Sequence, residues 1–141
     1  MLETGQLVDA DFVIGAAGAV PHPWIETTPL YHQNGYIEVN AQLQTSDPNV
    51  FAVGDCAHFT ERPLPKAGVF AVRQAPTLSH NLVAAISGGH LKSYKPQSDF
   101  LKLITLGDKT ALSEKFGITM SGKWVWALKN RIDSDFMRRF R

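Results

Sequence analysis

An apolar run at residues 50–53 leads directly into Gly54 and Asp55, a pair with the chemistry of a ligand site. Turn-forming residues bound the run, which predicts a short strand buried on both faces. Ligands in open α/β sheets bind just beyond the carboxyl ends of such strands. Because Gly54 has no Cβ, a ligand can approach its backbone, and the Asp55 carboxylate accepts hydrogen bonds from hydroxyl groups. The pair suits a sugar or ribitol hydroxyl better than a phosphate. The alternative is that Asp55 merely caps the next helix.

A second segment at residues 9–21 reads D-A-D-F-V-I-G-A-A-G-A-V-P. It predicts another buried strand that runs into a turn of small residues around Ala17 and Gly18. Small residues allow the chain to pass close to a ligand. Taken alone, the segment is better explained as an ordinary strand followed by a glycine turn, because Gly-Ala-Ala-Gly is a weak signal.

A third segment begins at Pro65 and continues into a helix over residues 78–86. Leu78, Leu82 and Ile86 recur at helical spacing and are predicted to face a core. Gly88 and Gly89 are predicted to end the helix. Pro76 lacks a backbone N–H, so we expect it to kink or break the helix.

Together these segments resemble the FAD-dependent pyridine nucleotide-disulfide oxidoreductases, and among them the proteins similar to type II NADH dehydrogenases. Residues 45–55 resemble T-x-x-x-x-V-F-A-V-G-D, the second FAD-binding motif of flavoproteins with two dinucleotide-binding domains. Residues 11–21 resemble D-x-V-I-x-A-T-G-x-x-P, with Ala17 where threonine is usual. In that family the motif's aspartate binds a ribitol hydroxyl of FAD, and the resemblance implies this role for Asp55.

The resemblance also implies a set of residues around the flavin. The helix after Pro65 would direct its positive N-terminal end at the isoalloxazine ring and stabilise negative charge on the reduced flavin. Gln74 would approach the electron acceptor; the alternative is a solvated helix residue. The implied cofactor-binding residues are Ala17, Gly18, Gly54, Asp55, Lys66, Ala67, Gly68 and Val69.

The sequence contains no G-x-G-x-x-G, the glycine-rich turn that holds a dinucleotide pyrophosphate. We therefore expect an α/β fold that is the C-terminal fragment of a glutathione-reductase-like flavoprotein with two dinucleotide-binding domains. Residues 1–90 would be the C-terminal part of the FAD/NAD(P)-binding domain, and residues 91–141 a small α+β unit. The missing N-terminal part of the parent enzyme is an expected partner, and the isolated chain is expected to be inactive.

The composition favours a globular chain without nucleic-acid binding. Of the 141 residues 44% are hydrophobic and 19% charged, which argues against disorder, and the net charge is only +1. Cys56 is the one cysteine, so no internal disulfide can form, and a small buried residue is favoured over a reactive thiol. The five histidines are not spaced as metal ligands, and we expect no metal site.

The chain changes character after residue 91. Residues 100–106, 110–112 and 117–120 predict short antiparallel strands, with Gly107-Asp108 as a hairpin turn. Residues 123–141 predict an amphipathic helix with six basic and two acidic residues, a net charge of +4. Its apolar stripe consists of Trp124, Leu128, Ile132, Phe136 and Phe140.

Such a helix suits an anionic membrane surface, or it docks on its own domain or on a partner in a homodimer. It resembles the C-terminal segment of type II NADH dehydrogenase-like proteins, some of which are fused to a selenide, water dikinase. The resemblance implies electron transfer from NAD(P)H through FAD to a quinone-like acceptor. The expected location is cytoplasmic, or peripheral on the inner face of the membrane. The alternative is a non-catalytic docking or membrane-targeting module that lacks a complete dinucleotide site.

Overall fold

The computed structural model describes residues 5–15 and 18–140. Contacts divide the chain into two compact units, Met1–Tyr94 and Lys95–Arg141, which we call the first and the second unit. The boundary predicted from the sequence lies between residues 90 and 91. The first unit contains strands β1 (His32–Gln33), β2 (Tyr36–Val39) and β3 (Ala57–Phe59) and helix α1 (Gly68–Ser87). The second unit contains strands β4 (Lys102–Gly107), β5 (Thr110–Lys115) and β6 (Ile118–Gly122) and helix α2 (Lys123–Arg138).

The sheet of the first unit is small and mixed. β1 and β2 form an antiparallel hairpin around Asn34 and Gly35, which both have positive φ, as an Asn-Gly hairpin turn requires. β3 then pairs with β2 in parallel, with Val39 opposite Phe59. Side chains alternate between the faces of β2, so Ile37 and Val39 are buried while their neighbours are half-buried. This alternation directs the hydrophobic core, formed with residues such as Leu43, to one side of the sheet.

Helix α1 is one continuous helix that passes through Pro76, so the predicted break does not occur. Gly88 ends the helix in the left-handed conformation, with φ of 69°, as the sequence predicted. The predicted core stripe is partly wrong. Leu78 packs against the core, but Leu82 and Ile86 are 43% and 90% exposed.

Helical geometry explains why that stripe fails. Successive residues turn by about 100°, so positions four apart drift by about 40° per step. Leu82 and Ile86 therefore move progressively away from the buried face. The inner face of α1 instead carries Phe70, Gln74, Asn81 and Ala84.

Two predicted buried strands are not present as regular strands. Residues 12–14 form no strand, and each of these three side chains is about 80% exposed. A strand requires neighbours for its N–H and C=O groups, and none of the described residues pairs with this segment. Residues 50–53 make one isolated bridge, between Gln44 and Phe51, and only Ala52 is buried there.

The second unit has the predicted architecture. β4, β5 and β6 form an antiparallel sheet in that order. The β4–β5 hairpin turns at Asp108 and Lys109, both with positive φ, so the predicted Gly107-Asp108 turn is confirmed. α2 packs on β5, and this contact buries Ala111 and Ser113 of β5 and Val125 of α2. No helix within residues 5–15 and 18–140 is long and apolar enough to cross a bilayer.

Candidate functional site

Gly54, Asp55 and Cys56 form a single 3₁₀ turn between the irregular segment 50–53 and strand β3. Gly54 has φ of 72°, a left-handed conformation that glycine adopts at little cost. The Ala57 N–H donates to the Gly54 carbonyl and closes the turn. Asp55 is exposed, and the element that follows is a strand rather than a helix. The alternative that Asp55 only caps the next helix is therefore wrong.

The Gly54 turn is held against helix α1 by two contacts. The Gly54 N–H donates to the Oε1 atom of Gln74 at 2.8 Å. A Cβ atom on Gly54 would lie 3.2 Å from the Cβ of Ala71, which is tighter than ordinary van der Waals contact. The absence of a side chain at residue 54 therefore allows the turn and the helix to approach this closely.

Gln74 is buried, with 2% of its surface exposed, so the alternative of a solvated helix residue is wrong. Its carbonyl faces the Gly54 backbone rather than water. That Gln74 approaches an electron acceptor stays a prediction.

Lys66 lies beside the same turn. Its Nζ atom donates to the Ala57 carbonyl at 2.5 Å and sits 4.0 Å from the centroid of the Tyr36 ring. Burial lowers the pKa of the Lys66 ammonium, while the neighbouring Asp55 and Cys56 side chains act to raise it. Lys66 therefore interacts electrostatically with the Asp55 carboxylate, and the ring face of Tyr36 further stabilises the cation.

Tyr36 also reaches the segment around the predicted small-residue turn. Its hydroxyl donates to the Ala19 carbonyl at 2.7 Å. The adjacent Gly18 is exposed and has φ of 103°. Ala17 was predicted to bind the cofactor, but it lies outside the described residues. The structure thus brings the neighbour of Gly18 to the Tyr36–Lys66 pair.

The N-terminus of α1 lies next to this group of residues along the chain. The helix begins at Gly68, and no side chain in the described part of the chain caps it at Ala67. The first N–H groups of a helix lack intrahelical partners and carry partial positive charge. Val69 follows in the first turn. Lys66 and this helix end are positive, while Asp55 accepts hydrogen bonds, so the site can stabilise an anionic ring and bind a hydroxyl.

Cys56 departs from its sequence-based prediction. We expected a small buried residue, but Cys56 is exposed, with its Sγ donating to the Val53 carbonyl at 3.3 Å. A 3₁₀ turn directs successive side chains about 120° apart, so neighbours of an inward-facing residue point outward. Within the described ranges, no group of three or more histidine, cysteine, aspartate or glutamate residues could hold a metal.

Sequence reasoning missed two contributors to the site, Tyr36 and Ala71. Tyr36 stands in an alternating strand, where its type predicts only a half-buried position. Ala71 is one of several alanines in α1. No local signal distinguishes either residue, because their roles depend on segments far away in the sequence.

Comparison with known proteins identifies the family to which this chain belongs. Residues 1–81 match the family model described as pyridine nucleotide-disulphide oxidoreductase, and the chain belongs to this family. A solved chain from the covalent putidaredoxin reductase–putidaredoxin complex is 26% identical, with a TM-score of 0.52. That match covers 80% of this chain and 26% of the solved one. The predicted fold class is confirmed: the chain has the α/β fold of a portion of a two-dinucleotide-binding-domain flavoprotein.

Curated relatives agree with this family assignment. A nitric oxide reductase FlRd-NAD(+) reductase from Klebsiella pneumoniae is 37% identical over 91 residues, which are 64% of this chain and 23% of the relative. An NADH oxidase from Methanocaldococcus jannaschii is 37% identical over 84 residues, 55% of this chain and 19% of the relative. A rubredoxin-NAD(+) reductase from Pseudomonas putida is 35% identical over 57 residues, 40% of this chain and 15% of the relative. The chain spans less than a quarter of the length of these relatives.

Proposed function

We propose that this chain supplies the carboxyl-terminal part of the FAD site of an NAD(P)H oxidoreductase. The observation that carries the proposal is the exposed Asp55 carboxylate, on a turn that Gly54 holds against α1. The residues fit the ribitol and ring portions of FAD. An acceptor for hydroxyls, a cation and an uncapped helix start all belong to one small region.

Each residue has a distinct proposed task. Asp55 accepts a hydrogen bond from a ribitol hydroxyl and thereby orients the cofactor. Lys66 and the first N–H groups of Gly68 and Val69 stabilise negative charge at the flavin ring. Gly18 lets the backbone pass close to the cofactor, because it carries no side chain. When bound, FAD supplies the redox chemistry, taking a hydride from NAD(P)H and delivering electrons to an acceptor.

The test is FAD binding by a longer protein that carries this chain together with both glycine-rich fingerprints, measured through the quenching of flavin fluorescence. We expect Asp55→Ala to weaken binding by roughly ten-fold, because it removes a charged acceptor from the ligand. Glu61→Ala is the matched control, since it removes an exposed carboxylate six residues away. Equal FAD affinity of Asp55→Ala and wild type in that longer protein would contradict the proposal.

The proposed electron acceptor is a quinone-like molecule. The similarity of the C-terminal helix to type II NADH dehydrogenase-like proteins supports this choice. Relatives that are named for other acceptors, such as rubredoxin, supply the competing expectation. The comparison is made with a longer protein that carries this chain together with both glycine-rich fingerprints. NADH-dependent reduction of a soluble quinone, exceeding that of rubredoxin, is the expected result; the reverse order would overturn the quinone assignment.

Helix α2 favours a second role, as a peripheral membrane contact on the cytoplasmic side. Its apolar stripe is exposed to solvent: the exposed fractions of Trp124, Leu128 and Phe136 are 54%, 39% and 36%. Ile132 is exposed as well, and so is Phe140, which lies just beyond the end of α2. Basic residues on the same helix would attract anionic lipids.

Pelleting with vesicles that contain anionic lipid tests this role. Leu128→Glu combined with Phe136→Glu should abolish binding, because both charges enter the apolar stripe. Asn130→Glu combined with Ser134→Glu is the control, since it adds the same charge about 160° away around the helix. Equal loss of vesicle binding in both double variants would mean that charge attraction alone, and not the apolar stripe, causes the binding. Wild-type protein that stays in the supernatant and elutes as a dimer would favour the homodimer instead.

A further inference from the structure

Gln74 makes a contact that links two parts of the proposed site. The residue is buried on the inner face of α1, and its Oε1 atom accepts the Gly54 N–H at 2.8 Å. Ala71, three residues earlier in the helix, is the neighbour that Gly54 approaches. The turn that carries Asp55 is therefore fixed to the helix whose N-terminus lies at Gly68.

We propose that Gln74 is a positioning residue of the flavin site. Its side-chain carbonyl fixes the Gly54–Cys56 turn, and with it the Asp55 carboxylate, relative to the N-terminus of α1. The role assigned to Asp55 rests on the proposed FAD site, whereas the contact between Gln74 and Gly54 is present without a ligand.

The same hydrogen bond decides which polar groups the turn offers to a ligand. The Gly54 N–H is engaged by Gln74, so this donor does not face a phosphate. The exposed group is the Asp55 carboxylate, which only accepts hydrogen bonds when ionised. Gln74 thus biases the turn toward ligands that donate through hydroxyl groups.

Removing the acceptor has a defined physical consequence. A backbone N–H that loses its partner in a poorly solvated place must find water or change conformation. At Gly54 the left-handed backbone is adopted at little cost but is not enforced, because glycine populates other conformations as readily. The turn would then sample orientations in which Asp55 no longer has a fixed position.

Three variants separate this role from simple destabilisation. Gln74→Met keeps a side chain of similar length and deletes the acceptor. Gln74→Glu retains an accepting oxygen in either protonation state. Leu78→Ala removes core contacts from the same helix, four residues further on, and leaves Gln74 in place.

The decisive measurement is hydrogen exchange of the Gly54 amide in the flavin-free chain, referenced to amides of β2. We expect Gln74→Met to accelerate this exchange about five-fold, the factor that corresponds to the free energy of one ordinary hydrogen bond. Gln74→Glu and Leu78→Ala should retain the wild-type ratio between the exchange rate of the Gly54 amide and those of the β2 amides. Unchanged exchange in Gln74→Met, or equal acceleration in Leu78→Ala, would overturn the proposal.

Cys56 provides a second measurement if Gln74→Glu fails to fold. It is the one cysteine of the chain and is exposed on the same turn, so thiol alkylation reports on this turn alone. We expect faster alkylation by iodoacetamide in Gln74→Met and an unchanged rate in Leu78→Ala. Equal rates in Gln74→Met and wild type would again count against the role.

Titration with FAD distinguishes this inference from the proposed function. Binding that Asp55→Ala and Gln74→Met both weaken supports the two together. If Asp55→Ala binds FAD as tightly as wild type in the longer protein, the proposed function fails, and the exchange result alone decides the role of Gln74. If Asp55→Ala weakens binding and Gln74→Met leaves it unchanged, the positioning role is overturned.

Discussion

The Nζ atom of Lys66 lies 4.0 Å from the centroid of the Tyr36 ring, and the hydroxyl of the same ring donates to Ala19. One side chain therefore connects the segment that follows Gly18 to the segment that precedes α1. The family resemblance implied that both segments belong to one site, and Tyr36 is the physical link between them.

Replacing Tyr36 should separate its two contacts. Tyr36→Phe removes the hydrogen bond to Ala19 and keeps the ring under Lys66, and we expect a loss of about 1 kcal/mol. Tyr36→Leu removes both contacts and should cost about 1 kcal/mol more. Urea unfolding, followed through amide signals of β2 and β3, measures both values. Tyr31→Phe is the control, since Tyr31 is 71% exposed. Identical stability of Tyr36→Phe and Tyr36→Leu would show that the ring contributes nothing.

Gly54→Ala should be more costly than Gly88→Ala, although both residues have nearly the same backbone conformation. Their φ angles are 72° and 69°, so each substitution carries a left-handed strain of about 1 kcal/mol. Only residue 54 adds a steric conflict, because its Cβ would meet Ala71 at 3.2 Å, whereas the described surroundings of Gly88 leave open space. Unfolding free energies of the two variants measure the difference.

The double variant Gly54→Ala with Ala71→Gly isolates that conflict. Removing the Ala71 methyl group should restore part of the stability lost at residue 54, although glycine within α1 itself costs up to about 1 kcal/mol. A double-mutant cycle gives the coupling directly. A coupling energy of zero would mean that the turn can move away from the helix freely.

Asn81 should be among the most sensitive polar residues of the first unit. It is fully buried, its Nδ2 donates to the carbonyls of Gln42 and Lys92, and its Oδ1 accepts the Lys92 N–H. Asn81→Leu would leave these backbone groups without partners, so we expect a loss of about 2–4 kcal/mol. Thermal or urea unfolding tests this, with exposed Ser79→Ala as the control. A loss below about 1 kcal/mol would imply that water replaces the amide.

The second unit should lose stability in acid. The Phe116 N–H, then the Phe100 N–H, lower the pKa of Asp99, and Lys102, followed by the Gly117 N–H, lowers the pKa of Glu114. A depressed pKa in the folded state means that these carboxylates stabilise the fold above their unfolded pKa values. That contribution is fully present above about pH 5 and is lost as the pH falls below about 4, through the folded pKa values.

Unfolding free energies of the second unit at pH 6, 4 and 3, followed through amide signals of β5 and β6, measure this dependence. Asp99→Asn with Glu114→Gln should flatten the profile, because amides do not titrate in this range. Asp108→Asn is the control, as it neutralises a carboxylate in the other hairpin turn. A wild-type profile as flat as that of the double variant would refute the assignment.

The sequence predicted the elements whose signals are local. The hairpins of the second unit and α2 follow from turn residues and short-range periodicity, and the Gly54-Asp55 turn follows from its motif. The prediction failed where burial depends on distant partners. Residues 12–14 have the composition of a core strand, yet none of the described residues pairs with them.

Tertiary contacts also decided the roles of individual side chains. Gln74 is polar and could face water, but the approach of Gly54 places it inside. Cys56 is of a type that is often buried, but its place on a tight turn exposes it. Neither outcome can be read from neighbours in the sequence.

The proline within α1 removes one hydrogen bond from a helix that nevertheless stays continuous. Pro76 has no N–H, so the bond that residue 76 would make to the Val72 carbonyl cannot form, and the ladder is interrupted at mid-length. Upstream of this gap, Gln74 ties the helix to the Asp55 turn; downstream, Asn81 ties it to the loops at Gln42 and Lys92. The helix is therefore anchored on both sides of the missing hydrogen bond. A single element thus fastens the Asp55 turn and the loops at Gln42 and Lys92 to one another.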